Sequence, residues 1–445
     1  MANFTELDND FCDDVELMVE DENDLVLADE IFTKFSIVSG ALLNRSHKSK
    51  IMGIGGWTGR ELWPLPWLKV EKSLKIFGVH IYPTYRQILN ENWSSLLLKL
   101  RNTLFSWNLR SLDTFKQRVD VVQIFATSKL WYVCQALPLP AKFAKKFEAL
   151  IRSFIWTGKL EKLALDEIKN NREEGGLGVV CIRSKADALF LRQTCRLIAS
   201  PQYNSFQHVK YWVGLNLGEV LPDMQPGAHA VIVPEYFQHL QKLFLESHAL
   251  EIINIERLNS VPAKKIYEDF TSSFPPPKVI YKYENLPWND IWVRLNHPVL
   301  TSKMRDIMFL VIHNILPTRD RLHRLNMSDN AMCKKEDGLE DVEHLFTGCL
   351  RTQVAWAWTR RKIMHLLPDW VTQFPSNFEL LHLAYEALLN REILWLILTY
   401  CSYVWIEKIK GGNNYMICVD KLRNFMMQEY QENQYGQNSL AFIPF

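Results

Sequence analysis

The chain has 445 residues, 48% of them hydrophobic and 23% charged, a composition that supports packed cores and excludes disorder over most of the length. At about 150 residues per domain the length allows two to four units, and the near balance of 51 basic and 50 acidic side chains hides an uneven distribution along the chain. Eight cysteines without a pairing rhythm, and an N-terminus without a basic-then-apolar leader, point to a reducing intracellular setting, nuclear or cytoplasmic.

The first thirty residues carry only acidic charges, and among them Phe11-Cys12 precedes the pair Asp13-Asp14. Metal-dependent nucleotidyltransferases present carboxylates in this way, because two cations about 3.5–4 Å apart clamp the attacking and leaving oxygens. Such pairs also occur in ordinary acidic surface segments, so the pair alone carries little. Residues 15–19 alternate with period two and predict a strand that turns at 20–23 as a hairpin arm. Residues 28–38 have helical spacing through Ile31, Phe35 and Val38, and end near Ser39-Gly40. Strand character returns at 50–54, and the apolar stretches 65–70 and 74–81 are expected to complete a small sheet.

From Trp93 the texture becomes helical. Trp93, Leu96, Leu97, Leu100, Leu104 and Trp107 form one stripe, and Phe143, Phe147, Leu150, Ile151, Phe154 and Ile155 a second. Between them 119–137 reads as one long apolar helix, stopped by Leu137-Pro138-Leu139-Pro140. From Arg86 to Lys159 twelve basic residues face four acidic ones, a surplus of eight that favours a phosphate backbone. Lys99, Arg101, Arg110, Lys116, Arg118, Lys142, Lys145 and Lys146 are the candidate nucleic-acid contacts, against the plain alternative of solvated helix faces. Gly175-Gly176-Leu177-Gly178 lacks the Gly-Lys-Ser/Thr end of a phosphate loop and is read as a turn before a helix over 184–199.

Consecutive prolines at 275–277 mark a linker, with helices expected over 288–326 around Trp292 and Met304. A loop at 333–349 then places Cys333, Glu336, His344 and Cys349 at zinc-ligand spacing, with a glutamate where a second cysteine belongs. Structural zinc prefers four N/S donors, so this is a degenerate site that a carboxylate would close less favourably; a buried turn around Leu345 and Phe346 is the alternative. The apolar run 393–406 is too short to span a bilayer and reads as a buried helix, so no membrane partner is expected.

Taken in order, Phe11-Cys12-Asp13-Asp14, Ser39-Gly40-Ala41-Leu42-Leu43-Asn44, Lys48-Ser49-Lys50, Leu74 to Val79 and Asn92-Trp93 resemble the last palm motif and thumb opening of LINE-type, non-LTR retrotransposon reverse transcriptases. Lys129 to Tyr132, Leu137 to Pro140, Phe154 to Lys159 and Gly175 to Gly178 are similar to the region that follows. Leu316-Pro317-Thr318, Arg321-Leu322, Cys333 and His344 to Cys349 resemble the family's C-terminal zinc-binding module.

The resemblance implies a mainly α fold with a small N-terminal β remnant. Its expected parts are a partial palm at 1–85, a basic thumb-like region at 86–200, and a helical connector with a proline-rich linker at 201–280. A degenerate zinc module at 281–365 and C-terminal helices at 366–445 follow. It also implies RNA-directed DNA synthesis in the parent family, with Mg²⁺ held at Asp13 beside Asp14 and RNA and DNA as partners. The family's fingers and its first metal-binding aspartate lie upstream of the double aspartate, where this numbering has no residues. The expectation is therefore a fragment without Mg²⁺ or polymerase activity of its own, retaining sequence-independent RNA or DNA binding. A nonenzymatic interaction protein retained by a host, or an untranslated remnant of a decayed element, are the competing expectations.

Overall fold

The computed structural model describes residues 15–45, 48–157, 163–200, 204–217, 232–248, 258–335, 338–367, 371, 373–386, 390–412 and 415–434. The fold is mainly α, and among the described residues four strands of two or three residues lie within 50–81. Two compact units interleave along the chain, one from 1–103, 125–150 and 181–273, the other from 104–124, 151–180 and 274–445.

In the first unit, residues 15–19 form no ladder, so the expected hairpin arm is not found there among the described residues. The polar segment expected to form its turn instead starts a helix. Asp21 caps Glu22–Ser39 by accepting from the Asp24 N–H at 2.9 Å, and Gly40, at φ 72°, closes it by donating to Ser36 at 3.0 Å. The helical spacing there is real, yet Ile31, Phe35 and Val38 are exposed and only Ala28 is buried.

The expected small sheet is two separate ladders. Lys50–Ile51 pairs in parallel with Lys69–Val70, whereas the apolar stretch 74–81 folds back on itself, Leu74–Ile76 against Val79–Ile81. Positive φ at both Phe77 and Gly78 supplies the turn whose twist matches the paired strands. The buried Asn92 side chain binds this hairpin as a third strand would, accepting from the His80 N–H at 2.9 Å and donating to the His80 carbonyl at 2.7 Å. Its neighbour Trp93, fully buried, donates from Nε1 to the Pro138 carbonyl at 3.0 Å and meets Phe147 edge-on at 6.3 Å. Helix Tyr85–Asn108 is thereby tied to both the hairpin and helix Ala141–Ile155.

Residues 119–137 are not one helix. Phe115–Asp120 is followed by a π turn, Val121–Ala126, and then by Ser128–Ala136, which ends at the prolines as expected. No glycine or proline marks the break. The rest of the first unit packs around Ile182–Ile198, which meets Ser128–Ala136, Asn204–Leu217, Glu235–Glu246 and Ala263–Thr271. Phe190, Leu191, Leu240, Leu243, Phe244 and Ile266 are its core.

The second unit is organised by Arg391–Gly411, which contains the apolar run and is buried along most of its length. Ser302–Ile312, Gln353–Leu366 and Val419–Gln434 pack on it. Among the described residues no helix is long and apolar enough to cross a membrane.

Candidate metal centre and basic helices

Cys333 stands at the mouth of an antiparallel turn closed where Met332 bridges Leu339. The Cys333 N–H donates to the Gly338 carbonyl at 2.7 Å, and the Glu340 N–H to Ala331 at 3.0 Å. Glu340, 3% exposed, fixes the base of this turn. Its carboxylate pairs with Lys408 and accepts from the Arg319 N–H at 3.3 Å, while its carbonyl accepts from the Asp320 N–H at 3.2 Å.

The other two sulfur and nitrogen donors come from one local device. Asp341 accepts from the His344 N–H at 2.8 Å and leads into the π turn His344–Gly348, in which the Cys349 N–H reaches the His344 carbonyl at 2.8 Å. Five residues of α-helix cover about 1.4 turns and would swing the two side chains apart; an i→i+5 turn returns them to one side. The carbonyls that the wide turn releases are taken, Leu345 by the Thr352 hydroxyl at 3.2 Å and Phe346 by the Tyr400 hydroxyl. Gly338 and Gly348 flank the imidazole, a Cβ on either falling 3.6 or 3.5 Å from His344 ring atoms.

As a result the ligand atoms of Cys333, His344 and Cys349 lie within 4.8 Å of one another, with both thiols buried and the imidazole half-buried. The two sulfurs are 3.8 Å apart. A disulfide would need about 2.05 Å, whereas a tetrahedral centre about 2.3 Å from each sulfur has an edge of about 3.8 Å. Two thiols and an imidazole at this spacing fit zinc, and these three residues would hold it. Glu336, the fourth donor expected from the spacing, lies outside the described residues, as do Asp13 and Asp14. No other group of three or more potential ligands converges among the described residues.

The basic candidates divide between the units. Lys142, Lys145 and Lys146 are exposed on helix Ala141–Ile155, opposite its buried Phe143 and Phe147, and Lys142 reaches Asn90 on helix Tyr85–Asn108. Lys99 and Arg101 are exposed on that second helix. In the other unit Arg110 is exposed and lies over Trp107 at 4.3 Å, and Lys116 pairs with Asp120 at 2.7 Å. Arg118 is half-buried and donates to the carbonyls of Leu112 at 2.8 Å and Phe154 at 3.0 Å, bonds that join the ends of two helical segments.

Residues 272–356, which contain all three converging ligands, match the family described as zinc-binding in reverse transcriptase. The chain is related to the C-terminal region of non-LTR retrotransposon reverse transcriptases. It is also similar to an uncharacterised 149 kDa protein of transposon TX1 from Xenopus laevis, 26% identical over 219 residues. That match covers 47% of this chain and 16% of the relative, so the chain spans a small part of the longer protein.

The glycine-rich segment, a simple turn by its sequence, has a larger part in the second unit. Gly175, at φ 83°, lies against the indole of Trp292, which is stacked between Trp288 at 5.1 Å and His313 at 5.5 Å. A Cβ on Gly175 would fall 2.5 Å from the Trp292 ring, and one on Gly176 1.9 Å from the Asn170 carbonyl oxygen. His313 Nε2–H donates to the Gly175 carbonyl at 2.9 Å, and Asn296 donates to the Arg172 carbonyl at 3.0 Å. Burial pushes the imidazole down to about 4, because protonation would add a buried Nδ1–H without a partner. The glycine pair in the sequence signals the close approach but not what approaches.

Proposed function

We propose that this chain is a zinc-organised, nucleic-acid-binding region of a retrotransposon reverse transcriptase, which holds RNA or DNA without regard to sequence and extends no primer by itself. The convergence of Cys333, His344 and Cys349 within the matched segment carries the reading. Bound there, zinc would supply a cross-link between the 332–339 turn and the π turn. The protein's own share is to aim the donors, through Glu340 at one turn and Asp341, Thr352 and Tyr400 at the other. Exposed lysines opposite a buried aromatic stripe support backbone contact, since phosphate recognition needs charge rather than base-specific geometry.

The test is metal analysis of the purified chain after dialysis, with RNA binding followed by anisotropy at rising salt and a primer-extension assay. About one zinc per chain and affinity that falls steeply with salt are expected. Metal-free protein with native stability, or template-dependent extension, contradicts the reading.

A further inference from the structure

Outside the metal centre, the second unit contains a small cleft, open to solvent, whose wall includes Arg172, Asn296, Ser302, Arg305 and Asp306. Arg172 comes from the 3-10 turn Arg172–Glu174, and Arg305 and Asp306 from helix Ser302–Ile312. Two separate stretches of sequence thus bring two guanidiniums to one concave surface with an apolar floor at Leu177, Leu295 and Phe309. Neither charge is held in an ion pair. Among the described residues neither arginine has a carboxylate within ion-pair distance, and the guanidinium of Arg172 makes no hydrogen bond.

Arg305 donates from Nη2 to the Leu300 carbonyl at 2.8 Å, which holds its planar group at the wall. The single acid of the cleft already has a partner at its wall, because Asp306 Oδ2 accepts from the Phe115 N–H at 2.7 Å. Burial pushes this carboxyl up to about 7, against the pull of that bond and of Arg172 and Arg305. Near neutrality it therefore opposes an anion weakly. Guanidinium forks match the oxygens of a phosphate or a carboxylate.

We propose that this cleft seats one phosphodiester of a nucleic-acid backbone between the guanidiniums of Arg172 and Arg305. The assignment rests on the nucleic-acid-binding reading above, which is why a phosphodiester is favoured over an acidic peptide. Ser302 lines the same wall and supplies a neutral hydroxyl donor for a remaining phosphate oxygen.

Arg172→Gln is the clean variant, since that guanidinium holds nothing else in place; Arg305→Lys keeps the charge and removes the fork. The full chain is titrated with a labelled single-stranded RNA of about 20 nucleotides over about 50 to 200 mM salt, with folding checked by thermal melts. Arg172→Gln is expected to weaken binding roughly threefold to tenfold, and pairing it with Arg305→Gln to lower the slope of log affinity against log salt by about 0.7. Arg305→Lys is expected to lose affinity while keeping the slope. Folded variants with the affinity and slope of the wild type overturn this site and leave the broader reading standing. A wild type that binds no RNA at low salt overturns both. Inorganic phosphate or a polyglutamate peptide that stabilises the wild type but not Arg172→Gln, with RNA affinity equal in the two, reassigns the cleft and refutes the phosphodiester.

Discussion

Gly175→Ala isolates the cost of one methyl group at the contact between the glycine loop and the Trp292 stack. Two penalties combine. The backbone at φ 83° lies where an L-residue costs roughly 1–2 kcal/mol. The new Cβ would also stand 2.5 Å from an indole that is 2% exposed and held between Trp288 and His313, so the ring has no room to yield. Overpacking of this kind costs about 1–3 kcal/mol, which puts the total at about 2–5 kcal/mol. Gly178→Ala is the matched control, because Gly178 has φ 69° and a methyl group there would meet nothing within 4 Å. It carries only the backbone penalty of about 1–2 kcal/mol. Urea unfolding followed by tryptophan fluorescence measures both. If the two variants agree within about 0.5 kcal/mol, comparable to ordinary surface substitutions, the close approach is not a source of specificity and the reasoning fails.

Removing zinc with a chelator, or replacing Cys333 by Ser, is expected to lower the melting temperature and increase proteolysis around 332–349, because two turns lose their cross-link; an unchanged melt with and without chelator refutes a structural metal. His313 should impose acid sensitivity. Its folded value of about 4 lies below the ordinary 6.5, so its contribution is present above pH 6.5 and is lost as the pH falls toward 4, by at most about 3 kcal/mol. His313→Gln should remove that part of the slope in urea midpoints measured across the window. Replacing Lys142, Lys145 and Lys146 together by Gln should weaken RNA binding at low salt and flatten its salt dependence by up to about two units, with stability almost unchanged because all three are exposed. Unaltered binding by the triple variant would assign these lysines to solvent alone.

Periodicity made the helical stripes legible: Trp93, Leu96, Leu100 and Leu104 are buried as their spacing requires, and so are Phe143, Phe147, Ile151, Phe154 and Ile155. The same rule failed for Ile31, Phe35 and Val38, whose spacing forms a helix but cannot say whether another surface covers it. Alternation at 15–19 failed for a related reason, since a ladder needs a partner and none is present among the described residues. At 74–81 the apolar run concealed a hairpin because Phe77, a residue seldom found at positive φ, occupies the turn beside Gly78. The π turn at 121–126 carries no composition cue, since neither glycine nor proline is needed to widen a helix by one residue.

The candidate centre divides along the same line. Cys/His spacing and the ordered motifs were enough to indicate the relationship to reverse transcriptases and to nominate Cys333, His344 and Cys349, because those signals are local and additive along a chain. That the two sulfurs stand one tetrahedral edge apart depends on a π turn whose released carbonyls are capped by Thr352 and by Tyr400, a residue 54 positions away from Phe346. Likewise Arg172 and Arg305 are separated by more than a hundred residues and share a cleft only because the glycine loop docks on Trp292 and His313. Short-range pattern specifies which elements form and which chemistry they carry. Long-range packing, which no window of sequence contains, selects the side chains that meet.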